Sequence, residues 1–337
     1  MMERLVTMHA YCRPHGSKAE QAFGERWIRP LGAEQDPAGN WYLKVGDVPV
    51  LWSAHTDTAH TFNGGQQLQL RGSTLTAKHR QPLGADDTAG CYLLCEMARR
   101  GVSGHYVWHS GEERGCLGSR AVLEAVPDWL YDITCVIALD RRGTSEVITH
   151  QCGRRTASET FAAALANQLN AYGLTYAPSA FGLYTDSEVY AEVVPECSNI
   201  AVGYAGEHTA GESLNTAHVL RLLEALCAVD VSQLPITRDP VVYEISREAT
   251  IGRFWPERED AIEIGDDLYT YNGARGLWIR ASDAVACLEC GCCVEDPGAD
   301  LCFDCQAELA ADTEADRVFL SREYGAVTRM LARERIN

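Results

Sequence analysis

VPVLWSAHTDTA (48–59) decides the fold. An apolar run from Val48 to Ala54 breaks at His55-Thr56-Asp57. That is the pattern of a buried strand running into a polar loop. The same break recurs down the chain, at GADDTAG (84–90), SGEERGCLGS (110–119), ALDRRG (138–143) and GEHTAGE (206–212).

The other strands read as NWYLKV (40–45), HYVWHS (105–110), ITCVIAL (133–139), SEVITH (145–150) and NIAVGY (199–204). LQLRGSTLTA (68–77) reads as a hairpin turning at Arg71-Gly72-Ser73. Helical periodicity marks 87–100, 118–126, 158–172 and 215–230, and residues 1–32 carry one or two helices. Strands alternating with helices predict an α/β fold, a mostly parallel mixed sheet sandwiched by helices. In such sheets ligands collect beyond the carboxyl ends of the strands. The acidic and histidine-bearing loops fall there.

Composition bounds the function. A chain of 337 residues with 46% apolar and 23% charged residues can bury a large core. No run of 18 apolar residues is present, so no membrane span is expected. The opening MMERLVTMHAYCRPHG lacks an apolar signal core, which predicts a cytoplasmic protein. A formal charge of −18 repels phosphate backbones and argues against nucleic acid as a partner. Bound cations would offset part of that charge.

The five loops offer His55, Asp86, Glu113, Asp140 and His208, a nitrogen and oxygen donor set suited to two zinc ions. Two ions about 3.5–4 Å apart need a bridging carboxylate. Asp86, on the tight LGADD turn, is the natural bridge. Asp57 lies two residues after His55 on the same side of an extended segment, where it can fix the imidazole's tautomer. The adjacent Glu112 and Glu113 cannot point the same way, so one can bind metal while the other serves as general base. Each piece has a plainer reading. An HxD pair alone is weak, GEE is usually a solvated surface, and Asp86-Asp87 could simply cap a helix. Their fixed order outweighs these readings. His60, His109, His150 and His218 are read as structural or surface residues.

The segments HTD, GADDTAG, GEERGCLGS, ALD and GYAGEHTAGE resemble those of the MH-clan di-zinc exopeptidases: bacterial leucyl aminopeptidases, peptidase T and glutamate carboxypeptidase relatives. The stretch YTDSEVYAEVVPECSNIAVGY (184–204) resembles the family's last-strand region, and the resemblance covers roughly 45–230. It implies one zinc on His55, Asp86 and Asp140, and the other on Asp86, Glu113 and His208. It also implies Glu112 as the base, and a cis peptide bond between Asp86 and Asp87. Peptidase T and the carboxypeptidase relatives carry an inserted lid or dimerisation domain between the last two ligands. The 68 positions from Asp140 to His208 leave no room for one. The 31 positions from His55 to Asp86 hold only a hairpin.

A compact aminopeptidase acting on peptides or small amides is therefore the expected function. A carboxypeptidase, an N-acyl amino acid amidohydrolase and a non-catalytic interaction protein are its alternatives. Asp186 and Glu188 are candidates to hold a substrate amine; Arg114, Arg141 and Arg142 are candidates to hold a carboxylate.

Of fourteen cysteines, eight are scattered, several in apolar patterns as small hydrophobic residues, and six crowd into 287–305, where the lack of a secretory signal points to metal rather than disulfides. CLEC (287–290) and CFDC (302–305), 11 residues apart, predict a structural zinc on Cys287, Cys290, Cys302 and Cys305 in a zinc-ribbon-like module; Cys292 and Cys293 compete for a place. The module carries no Lys or Arg from 285 to 310. Protein contact, self-association into a homo-oligomer or stapling of a subdomain are its expected roles. The expected domains are a catalytic domain (1–232), a β-rich extension (233–284), the cysteine module (285–310) and a terminal helix (311–337).

Overall fold

The computed structural model describes residues 1–240 and, beyond them, only the backbone of five short strands. Cys287, Cys290, Cys302, Cys305 and the expected terminal helix lie outside the described residues, as does much of the expected extension. The chain divides into two units, Met1–Ser246 and Arg247–Asn337. In the second unit Ala261–Ile264, Asp267–Asn272 and Leu277–Arg280 form an antiparallel meander, and Val285–Ala286 pairs with Cys293–Val294.

The first unit is built on an eight-stranded sheet: β1 (Glu34–Gln35), β2 (Trp41–Val45), β3 (Val50–His55), β4 (Gly104–His109), β5 (Cys135–Arg141), β6 (Glu146–Ile148), β7 (Ala177–Ser179) and β8 (Glu196–Ala201). Their order across the sheet is β7-β6-β8-β5-β3-β4-β2-β1. The central four, β8, β5, β3 and β4, run parallel; β2 pairs antiparallel with β4, and β6 with β8.

The continuous apolar runs of these strands follow from burial on both faces. Val50 and Trp52 of β3 face one core while Leu51 faces the other; Ile137 and Val136 of β5 divide in the same way. The larger core is closed by α1 (Met2–Met8), α2 (Lys18–Trp27), α3 (Ala85–Arg99), α5 (Glu159–Asn170) and α7 (Thr216–Leu226). The smaller packs Val122 of α4 (Leu117–Ala125) with Tyr190, just past α6 (Asp186–Val189). Each large apolar side chain so buried contributes about 1.5–3 kcal/mol.

Side-chain caps set where helices begin. Ser158 accepts the Phe161 N–H at 3.2 Å, and Asn215 accepts the His218 N–H at 3.1 Å. Both residues, read as helical from the sequence, stand just outside their helices.

The run read as NIAVGY is displaced: β8 starts at Glu196 and ends at Ala201. Its polar residues hid it. Glu196 accepts the N–H groups of Ser158, Thr237 and Arg238, Ser198 donates to the Ile148 carbonyl, and Asn199 bonds the backbone of Asp140. A strand whose polar groups are all met can be buried like an apolar one.

The expected hairpin forms from Leu68–Arg71 and Thr74–Ala77. It does more than connect, because Thr74–Ala77 also pairs with Ser213–Asn215, which pairs in turn with Tyr204–Ala205. No helix among the described residues is long and apolar enough to cross a membrane.

Candidate active site

The site lies beyond the carboxyl ends of the parallel strands. β3 ends on His55, β5 carries Asp140 near its end, and β4 leads into the Glu112–Arg114 turn. Asp86 stands in the first turn of α3, where its backbone is not helical, and its bond to Asp87 is cis as the resemblance implies. His208 sits in the loop after β8 with a left-handed φ of 63°.

These residues converge on one carboxylate. Asp86 Oδ1 lies 3.0 Å from His55 Nε2, and Asp86 Oδ2 lies 3.1 Å from His208 Nε2. Asp140 Oδ1 is 3.5 Å from His55 Nε2, and Glu113 Oε2 is 3.1 Å from His208 Nε2. Two donor groups able to hold metal ions result: His55, Asp86 and Asp140, and Asp86, Glu113 and His208.

The donor chemistry fits a pair of cations. Asp86, Asp87, Glu112, Glu113 and Asp140 stand together against two imidazoles. Glu113 Oε1 is buried with no hydrogen-bond partner. Burial and the Asp86 charge push the Asp140 carboxyl up to about 7. Burial, then Asp140, Asp186 and Glu113, push Glu112 well above the ordinary carboxylate range. Burial works against a charged His208, yet Asp86 and Glu113 outweigh it and push the imidazole up to about 12. Against burial, His208 and His55 hold Asp86 ionised, while Asp87, Glu112, Glu113 and Asp140 resist ionising, so the set as a whole lacks positive charge.

Other side chains aim the ligands. The far nitrogen of His55 lies 3.1 Å from the Asp57 carbonyl and 3.5 Å from its Oδ1, which leaves Nε2 for a metal. The fully buried Asp57 also accepts the N–H groups of Gly111, Glu112 and Glu113 at 2.9, 3.1 and 3.2 Å. Asp57 therefore fixes the loop bearing Glu112 as well as His55. Asp87 accepts the His55 N–H at 3.1 Å and the Gly90 N–H at 2.9 Å, so the helix-cap reading holds for Asp87 and fails for Asp86. Tyr204 donates to Asp140 Oδ1 at 3.1 Å.

The substrate candidates are tied into the protein. Asp186 is buried, with Ser119 donating to its Oδ1 and His109 3.3 Å from its Oδ2. Arg141 donates to Glu146 and to the Phe181 carbonyl; Arg142 donates to Glu207. Glu188 lies 3.6 Å from Arg154. His218, read as a structural or surface residue, bonds Tyr176 from within α7.

Two acids near the site were missed from sequence. Glu20 accepts the hydroxyls of Thr56 and Ser110, each at 2.7 Å, and so joins α2 to two site loops. Its only sequence signal is the Ser17-x-x-Glu20 capping box. Glu212 accepts the N–H groups of Gly84, Ala85 and Asp86. It stood inside a quoted motif with no role.

Residues 40–193, just under half of the chain, match the model of peptidase family M28. The fold is similar to that of aminopeptidase PepT from Bacillus cereus, with a TM-score of 0.55 and 14% identity over 67% of this chain and 96% of that one. A tripeptidase from Staphylococcus aureus gives a TM-score of 0.56 and 12% identity over 67% and 95%. The Pyrococcus horikoshii TET1 peptidase, which can assemble into a tetrahedron or a large octahedral shell, gives 0.53 and 13% over 67% and 98%. No curated protein matches the chain. With the domain match over 40–193 and the fold behind it, the chain is a hydrolase of the peptidase type.

Proposed function

We propose that this chain is an aminopeptidase dependent on two divalent metals, zinc by preference, that removes N-terminal residues from peptides. The carrying observation is that Asp86 offers one oxygen to each of two histidine-carboxylate groups. His55, Asp86 and Asp140 would hold one ion; Asp86, Glu113 and His208 the other. Such a pair polarises a carbonyl and brings the pKa of a water toward neutrality.

Glu112 would take the water's proton and return it to the leaving amine. Burial and the Asp140 charge push its carboxyl up, which favours a group that holds a proton as well as releasing one. Asp57 would hold Glu112 and His55 in register.

The direction of the substrate follows from charge. A carboxypeptidase needs a cation facing the site for the terminal carboxylate. Arg141 and Arg142 are engaged by Glu146 and Glu207. A site walled by acids favours the ammonium end of a peptide. Self-association, as in the TET1 peptidase, is the assembly proposed.

The test is Glu112→Gln in zinc-loaded protein, assayed on aminoacyl, N-acyl and carboxypeptidase substrates. The wild type should cleave the aminoacyl panel, and the variant should keep its metal while kcat falls by about 10²–10⁴-fold. Cleavage of only the N-acyl or carboxypeptidase panel, or a fully active variant, would overturn the reading.

A further inference from the structure

We propose that Glu212 is a positioning residue that locks the His208 loop to the Asp86 turn, so that both halves of the metal centre form together. The inference deepens the two-metal reading above and rests on it.

The geometry is specific. Glu212 Oε2 accepts the Gly84 N–H at 2.9 Å, and Oε1 accepts those of Ala85 and Asp86 at 2.6 and 3.0 Å. The side chain is almost wholly buried. The segment 84–86 needs such a partner, because no side chain at Gly84 caps α3 and Asp86 itself is turned into the metal centre. The first amides of a helix lack intrahelical acceptors, and a carboxylate there is a strong one. Here the acceptor comes from far along the chain.

Glu212 also closes the loop that carries His208. Its own N–H donates to the Thr209 carbonyl, and Thr209 Oγ1 donates to the Gly206 carbonyl. Ser213, the next residue, pairs with Thr76 on the hairpin that precedes the Asp86 turn. His208 is the most exposed ligand, its side chain 43% accessible, and it keeps a left-handed backbone. The Glu212 carboxylate is thus a rigid link between the loop of one ligand and the backbone of the shared one. Without it, Asp86 and His208 could still each bind metal, but not in a fixed relation.

Glu212→Gln separates this role from simple support. The amide keeps one acceptor, turns an NH₂ donor toward the N–H groups and removes the charge. Zinc titration of the metal-free protein, followed with a competing chelator, should show both affinities reduced about 10–100-fold. The second step should fall more, since it needs both Asp86 and His208. The thermal midpoint of the metal-free variant should stay within a few degrees of wild type. A lowered midpoint with unchanged zinc affinity would make Glu212 merely structural and overturn the proposal, as would no change in either. If Glu212→Gln does not fold, Glu212→Asp is read by the same two measurements: its shorter carboxylate should weaken zinc binding, and wild-type affinity would refute the link. Failure of the two-metal reading looks different, because the wild type itself would then bind no zinc pair.

Discussion

Gly90 packs its α carbon against the carbonyl oxygen of Leu139, so that any side chain there would collide with it. The contact sets α3 directly on β5, one residue before Asp140. A Cβ at position 90 would also stand 2.5 Å from both carboxylate oxygens of Asp87. Gly90→Ala must push the helix away from the strand and disturb the residue that holds the His55 backbone. The expected cost is about 1–3 kcal/mol of stability, read as a lower urea midpoint, together with weaker metal binding.

Asp57→Asn should damage the site while the fold survives. Asparagine can still accept the Gly111 and Glu112 N–H groups through one oxygen. Its NH₂ would then face the Glu113 N–H, donor against donor. The acid that steadies His55 is lost as well. Zinc affinity should fall about 10–100-fold, measured by competition with a chelator, with kcat/KM falling alongside.

Acid should destabilise the protein through histidines remote from the metals. Burial lowers His9 to about 3 and His218 to about 4, against a usual value of 6.5. Between those values the unfolded chain binds protons that the folded chain refuses, so stability rises with pH there. Conversely it is lost as pH falls from 6.5 toward 4. His9→Asn, whose amide can keep a bond to the Leu5 carbonyl, removes one such group. Urea midpoints at pH 7 and pH 4.5 should therefore differ less in the variant than in the wild type. An equal difference would show that His9 does not contribute.

Metal counting separates the two kinds of site expected from sequence. Zinc-loaded protein should hold two ions at the His55–His208 centre and a third on Cys287, Cys290, Cys302 and Cys305. Replacing Cys287, Cys290, Cys302 and Cys305 by Ser should remove one ion and leave two. For each independent site, zinc at 100 times its dissociation constant should add about 2.7 kcal/mol to stability.

The positions of the candidate ligands His55, Glu113 and Asp140 were legible because each sits where apolar patterning stops, and the stop itself marks the carboxyl end of a strand. His55 and Asp140 could be placed from their strands alone, and Asp86 from its tight turn. Glu212 and Glu20 were not legible, because what they bond are backbone amides and hydroxyls from distant segments, which leave no trace in spacing. The start of β8 was hidden for the same reason. Glu196, Ser198 and Asn199 look like loop residues until their partners across the sheet are known.

Synthesis meets the ligands in a fixed order. His55, Asp86, Glu112, Glu113 and Asp140 are all laid down before β8 and the loop after it exist. Only when the chain returns to lay Ser213–Asn215 on the early hairpin does His208 arrive opposite Asp86. A nascent chain short of this return carries the proposed base and four of the five candidate ligands, but not the second donor group. On the two-metal reading proposed above, the second donor group closes only after the strands that carry the first have been made.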